Sequence, residues 1–261
     1  MKALNIAATG MLAQQTNVDV ISNNIANAQT TGFKAAQAHF ADLMYQSYQR
    51  EGTGAGDGAG ARPVGVDIGL GVQSAGVVRL HTQGSLQKTD NPLDMAIEGD
   101  GYLVVNQPDG GIAFTRDGGL QLNADGEIVT KQGYQIDPGI AVPEDALDVE
   151  ITSQGVVLAY VPDDVEPVEL GELTMATFVN DPGLKTIGEN LLKETAASGE
   201  ATMGTPGEEG FGTIKQGWLE GSNVDPVSEI TDLIRAQRAY EMNSKTVKTV
   251  DEMMTAANRI K

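Results

Sequence analysis

Two helical stripes, one at each end of the chain, restrict the fold more than any other feature of the sequence. Near the amino terminus Leu4, Met11, Val18 and Ile25 stand seven apart, and Ala7, Gln14, Ile21 and Ala28 follow each by three. Near the carboxyl terminus Leu233, Tyr240, Val247 and Met254 repeat the spacing, followed by Ala236, Asn243, Val250 and Ala257. A two-position heptad pattern is that of a helix with a narrow apolar seam. Ile230, Gln237 and Ser244 widen one flank of the second stripe. Asp225 can cap that helix and Pro226 suits its first turn, and a helix from 226 to 260 would be roughly 50 Å long. Gly32, in Thr30-Thr31-Gly32-Phe33, is expected to end the first helix.

Both seams are thin and contain Gln, Asn or Ser, so either helix alone is marginal. The seam positions Leu4, Met11, Val18, Ile21 and Ile25, and Ile230, Leu233, Tyr240, Val247, Val250 and Met254, are therefore candidates for assembly. Pattern alone leaves two readings open. The helices pair within one chain as an ordinary hairpin, or they pair with copies in neighbouring chains.

The segment between them reads as β structure. Its Asp-Gly pairs at 100–101, 109–110, 117–118 and 125–126 separate short runs such as Tyr102-Leu103-Val104-Val105 and Glu127-Ile128-Val129-Thr130. Asp-Gly tolerates the positive φ of tight hairpins, which predicts an antiparallel meander. Strands are also expected over 149–161 and 168–180, and loops with one or two strands over 183–215. Residues 51–61, EGTGAGDGAGA, are low in complexity and linker-like. The expected fold is α+β: a discontinuous helical coiled-coil domain from 1–33 and 217–261, a stretch 34–72 between, and a mainly antiparallel β domain over 73–216.

Charge follows the same division. Of a net −19, residues 51–215 hold 8 basic and 27 acidic side chains, whereas 216–261 hold six and seven. No basic stripe exists to neutralise phosphates, so nucleic acid is not an expected partner. The chain has no cysteine, which excludes disulfides and thiolate chemistry. His39 and His81 stand far apart, read as surface or turn residues, and give no zinc pattern. No nucleophile elbow or phosphate loop is present. Asp94, Glu98 and Asp100 cluster locally, as chance allows among 36 acidic residues; the abundance of carboxylates is the basis for a rival reading as an acidic hydrolase. No metal or cofactor is expected. No run approaches the length of a membrane span, and MKALNIAATGMLAQQTNVDV lacks the form of a cleaved secretory signal.

Further runs carry a resemblance. Gly10-Met11-Leu12-Ala13-Gln14-Gln15, Ser22-Asn23-Asn24-Ile25-Ala26-Asn27 and Thr31-Gly32-Phe33-Lys34 resemble the amino-terminal signature of flagellar rod and hook axial proteins. Glu220-Gly221-Ser222-Asn223-Val224-Asp225 and Gln237-Arg238-Ala239-Tyr240-Glu241-Met242-Asn243-Ser244-Lys245 resemble that family's carboxyl-terminal signature. Gly99-Asp100-Gly101-Tyr102 and Phe114-Thr115-Arg116-Asp117-Gly118 resemble its β-domain pattern. Within the family, Arg79-Leu80-His81-Thr82-Gln83-Gly84 and Ile187-Gly188-Glu189-Asn190-Leu191 resemble the distal-rod members; the region near 44–65, typical of that branch, is here Gly/Ala-rich. Proximal-rod and hook paralogues are the alternatives.

The resemblance implies a structural subunit rather than an enzyme. It would be exported through the flagellar type III apparatus without a cleaved signal and located in the periplasm-spanning rod of the basal body. It would self-assemble into a helical tube that transmits torque and encloses the export channel. Its implied partners are copies of itself, proximal rod proteins, the hook protein, and the peptidoglycan- and outer-membrane-ring proteins, with no insertion into a membrane. The signature positions Asn23, Asn24, Asn27, Gly32, Phe33, Asn223, Gln237, Arg238, Asn243 and Ser244 are the implied family residues.

Overall fold

A computed structural model describes residues 2–49, 64–162 and 166–259. The Gly-rich run 51–61 lies outside the described residues. The chain divides into two compact units: Met1–Ala26, Ala36–Val78 and Asp225–Lys261 in one, Asn27–Ala35 and Arg79–Val224 in the other. This division differs from the sequence expectation at both ends. Residues 27–33 and 217–224 belong with the β unit, and the described residues of the stretch 34–72 from Ala36 onward cluster with the helices.

The helical unit contains α1 (Lys2–Ala26), β1 (Ala36–Asp42), β2 (Tyr45–Gln49), β3 (Val66–Gly69), β4 (Val72–Arg79) and α2 (Pro226–Arg259). The two helices pack along each other. α2 starts where the sequence signals it, with the Asp225 carboxylate accepting from the Val227 N–H at 3.2 Å. α1 stops at Ala26 rather than at Gly32. Its end is set by Asn24, which is 2% exposed: the side chain accepts from the Ala36 N–H at 2.9 Å and donates to the Ala36 carbonyl at 2.8 Å. One amide thus satisfies both backbone groups that open β1, as a neighbouring strand would. β1 pairs with β4, and β2 pairs with β3. The Lys2 ammonium donates to Gln46 and Tyr48, tying the first turn of α1 to β2. No described helix is long and apolar enough to cross a membrane.

The β unit runs through β5 (Leu86–Lys88), β6 (Met95–Glu98), β7 (Tyr102–Asn106), β8 (Ile112–Thr115), β9 (Leu120–Leu122), β10 (Ile128–Thr130), β11 (Gln135–Ile136), β12 (Asp148–Ile151), β13 (Val156–Tyr160), β14 (Val168–Glu172), β15 (Met175–Thr177), β16 (Lys185–Gly188), β17 (Leu191–Lys193), β18 (Thr202–Gly204), β19 (Thr213–Gln216) and β20 (Trp218–Glu220). Among the described residues its main sheet has nine strands, in the order β16-β17-β8-β7-β11-β10-β9, with β15 branching from β7 and carrying β18. β12, β13 and β14 form a second sheet. β7 is central and buried on both faces, which is why Tyr102-Leu103-Val104-Val105 is a continuous apolar run. Tyr102 and Val104 enter a core with Phe114, Ala176, Leu184 and Leu192. Leu103 enters the larger core of Leu120, Ile128, Ile136, Val157 and Met175.

The expected meander is corrected at two of its four Asp-Gly pairs: 100–101 joins β6 to β7, which do not pair, since β6 pairs with β19 in a separate sheet. The Asp-Gly pairs at 109–110 and 125–126 do make hairpins, with Gly110 at φ 76° and Gly126 at φ 79°, joining β7 to β8 and β9 to β10. The pair at 117–118 does not: β8 and β9 are separated by β7, β11 and β10 in the sheet. Here the chain crosses the Met95 carbonyl so closely that a Cβ on Gly118 would lie 1.6 Å from it. A close backbone crossing requires glycine as firmly as a tight turn does. The segment 183–215 also holds more order than expected, with β16, β17, β18 and β19 starting within it.

Candidate assembly site

The two predicted stripes are placed differently from one another. On α1 the most buried residues are Ala7, Ala13, Ile21 and Asn24, whereas Leu4, Met11, Val18 and Ile25 are half-buried. On α2 Ala236 is 3% exposed; Leu233, Val247 and Val250 are half-buried, while Ile230, Tyr240 and Met254 are exposed. Gly10 and Asn243 face each other where the helices approach, and a Cβ on Gly10 would lie 2.9 Å from the Asn243 amide nitrogen. The small residue lets two backbones come near, and the signature asparagine occupies the space. Ser244 is half-buried beside it in sequence, and Gln237 and Arg238 are exposed. Asn23 is also exposed.

Periodicity gave no warning of a second apolar set on α2. Val227 is 73% exposed, Met242 65% and Met253 59%, with Ile234 at 45%. At 3.6 residues per turn Val227 and Ile234 lie opposite Ala236, while Met242 and Met253 lie about 100–120° round the helix from it, on one flank. α2 therefore has one apolar face turned toward α1 and further apolar side chains turned outward.

The remaining signature residues meet inside the β unit. Gly32 adopts φ 67°, and a Cβ there would lie 2.7 Å from the Asp117 nitrogen; both conformation and space demand glycine. Its N–H donates to the Glu220 carbonyl at 2.8 Å. Thr31 donates to Asp117 at 2.9 Å, and the Asn190 amide donates to the Thr31 carbonyl at 3.0 Å. Asn27 accepts from the Thr30 hydroxyl at 3.2 Å. Phe33 packs with Ala35 and Val224, under the Arg79 guanidinium at 5.6 Å. Asn223 accepts from the Ala35 N–H at 2.7 Å and donates to the Leu80 carbonyl at 2.8 Å.

At the centre of this cluster lies a buried charge triad. The Glu220 carboxylate, 1% exposed, takes the Lys34 ammonium at 2.5 Å on one oxygen and Arg116 at 3.3 Å on the other. The Gly84 N–H adds a third donor at 2.8 Å. Burial pushes the Lys34 ammonium below its ordinary value, opposed by the hydrogen bond and charge of Glu220. Nearby, His81 is half-buried rather than on the surface, and its Nδ1 lies 2.7 Å from the Tyr102 hydroxyl. Burial, with Lys34, Arg116 and Arg79 adding positive charge, lowers its pKa to about 4. Lys34 thus meets a carboxylate 186 positions away in the chain, and the amino-terminal and carboxyl-terminal signatures are two halves of one packed junction.

Nothing in this geometry resembles a reaction centre. Asp94 is buried and accepts from Asn91 at 2.9 Å, while Glu98 faces Lys215 at 3.9 Å on the surface. Among the described residues, no group of three or more His, Cys, Asp or Glu is placed to hold a metal.

Comparison with known proteins identifies what the junction and the helix pair belong to. Residues 4–34 match the family described as flagella basal body rod protein, 96–159 the flagellar hook protein FlgE/F/G D1 domain, and 215–260 the flagellar basal body rod FlgEFG protein C-terminal region. Over 261 residues, all of both chains, the sequence is 48% identical to the flagellar basal-body rod protein FlgG of Caulobacter vibrioides. The chain belongs to the FlgG family of flagellar basal-body rod proteins. The FlgG of Agrobacterium fabrum is 49% identical over 259 residues and that of Borreliella burgdorferi 46% over 263, each covering 99% or more of both chains. As a FlgG-family member the chain is a structural, non-enzymatic subunit of the distal rod in the flagellar basal body, and it serves motility by assembling with other flagellar components. The hook and proximal-rod alternatives give way to this full-length match, and the hydrolase reading gives way with them.

Proposed function

We propose that copies of this FlgG-family chain polymerise through α1 and α2 into a helical tube, which transmits torque and encloses the export channel. The observation that carries the reading is the set of exposed apolar side chains Val227, Ile234, Met242 and Met253 on a helix already paired at Ala236. Burying such side chains against a neighbour is worth about 1.5–3 kcal/mol each, and heterologous contacts repeated from copy to copy build open filaments. The buried and half-buried seam residues, from Leu4 to Ile25 on α1 and Leu233, Val247 and Val250 on α2, close the helix pair, and the exposed Ile230, Tyr240 and Met254 are left for neighbours to cover. The β unit, with most of the negative charge, stays in solvent and keeps subunits apart until the helices meet. The proximal rod and the hook adjoin the two ends of the tube, the peptidoglycan- and outer-membrane rings surround it, and the type III apparatus delivers its subunits.

Paired substitutions test this. Ile234→Asp with Met242→Asp should abolish polymer, measured by sedimentation, while circular dichroism of the monomer stays unchanged. Leu233→Asp should also abolish polymer, but by loosening α1 from α2, which lowers monomer helicity. Rods of normal length and yield built from the Ile234→Asp, Met242→Asp chain would overturn the assignment of this exposed set.

A further inference from the structure

Two edges of the branched nine-stranded sheet are unlike. β16 forms one and β9 the other, six strand spacings of about 4.8 Å apart along the sheet. On the β16 edge Lys185 stands directly opposite Lys193 of β17, and both are exposed. Like charges in register weaken a strand pair. Neither ammonium has a salt-bridge partner among the described residues, although 27 acidic residues lie between 51 and 215. In the connection from β15 to β16, Val179 is 93% exposed, while its neighbour Phe178 packs inward on the core. The turn therefore holds an aliphatic side chain almost wholly in water.

The β9 edge is the complement. There the turn of the β9–β10 hairpin and residues 142–149 enclose a hollow of about 370 Å³, lined by Leu93, Leu122, Val142 and Leu147. Leu147 is 75% exposed at its mouth. Glu144 and Asp148 also line it and are exposed.

We propose that the β16 edge of one copy docks on the β9 edge of the next, with Val179 entering the hollow and Lys185 and Lys193 facing Glu144 and Asp148. The occupant is a second copy because the chain carries both halves of the contact, apolar knob to apolar hollow and cation pair to anion pair. The two halves sit at different places, so the contact is head-to-tail and does not close on itself. A two-fold pairing of β16 edges would instead set lysines against lysines. This contact rests on the reading that the chain polymerises, and adds a β-unit interface to the helical one.

The chain has no cysteine, so Val179→Cys with Leu147→Cys introduces the only two thiols. Rods assembled from this variant, treated with a short bis-maleimide and run on a denaturing gel, should give a ladder of monomer multiples. Each single variant should run as monomer. Rods that form but give no ladder would overturn this contact and leave the polymer reading intact; a wild-type chain that forms no polymer would overturn both. Charge reversal supplies a second arm. Lys185→Glu with Lys193→Glu should raise the concentration needed for polymer by roughly tenfold, a difference of about 1.4 kcal/mol. Adding Glu144→Lys and Asp148→Lys to the same chain should restore it, and failure of that rescue contradicts the pairing.

Discussion

In the β unit Leu103, Val105, Val157 and Met175 are wholly buried, whereas on α2 Ala236 alone among the described residues is buried. The β unit closes its own core from two sides of β7. The helical unit consists of long helices with small residues at the contact, plus a β2–β3 ribbon whose Tyr45, Tyr48, Val66 and Ile68 are exposed. A two-stranded ribbon and a thinly packed helix pair are marginal in water. Under the proposed polymerisation the contrast is a division of labour: the β unit is stable before assembly, and the helical unit reaches its full stability when neighbours cover it.

The largest effects should come from breaking the β unit. Leu103→Ala should cost about 2–5 kcal/mol for the lost contacts and the cavity, read as a lowered denaturant midpoint. Glu220→Ala should cost about 3–5 kcal/mol, because Lys34 and Arg116 are left buried without their anion. Asp232→Ala removes the exposed partner of Arg235 and should change stability by well under about 1 kcal/mol. If Glu220→Ala were as mild as Asp232→Ala, the junction would not be the clasp of the β unit.

A smaller, graded effect concerns pH. His81 has a folded-state pKa of about 4 against an ordinary 6.5. Between these values the unfolded chain binds more protons than the folded one, so stability rises with pH across the window. The contribution is fully present above about 6.5 and is lost as pH falls toward 4. Melting curves from pH 7 to 4 should therefore fall less steeply for His81→Gln than for wild type. Parallel curves would place His81 outside the buried network.

The sequence disclosed the helices more readily than their uses. Heptad spacing located α1 and α2, and Asp225-Pro226 marked the start of α2. Spacing names a face but not its partner, so the pairing of that face within the chain and the second exposed apolar set on α2 were not legible. Asparagine is a poor helix former, yet Asn24 closes α1. It is buried because it completes the hydrogen bonds of β1, which is a tertiary requirement. Asp117-Gly118 shares its local chemistry with the two hairpin pairs, and only the crossing over Met95 sets it apart. Lys34, Arg116 and Glu220 each lie in a recognised run, yet burial of three charges together depends on contacts between residues far apart in sequence. Motifs marked these residues as important without saying that they touch.

Hydrogen exchange on monomer and polymer tests the central claim most directly. The account predicts that amides of β7, β8 and β17 exchange slowly in both states, while those of α1 and α2 become slow only in the polymer. Full protection of both helices in a monodisperse monomer would contradict it.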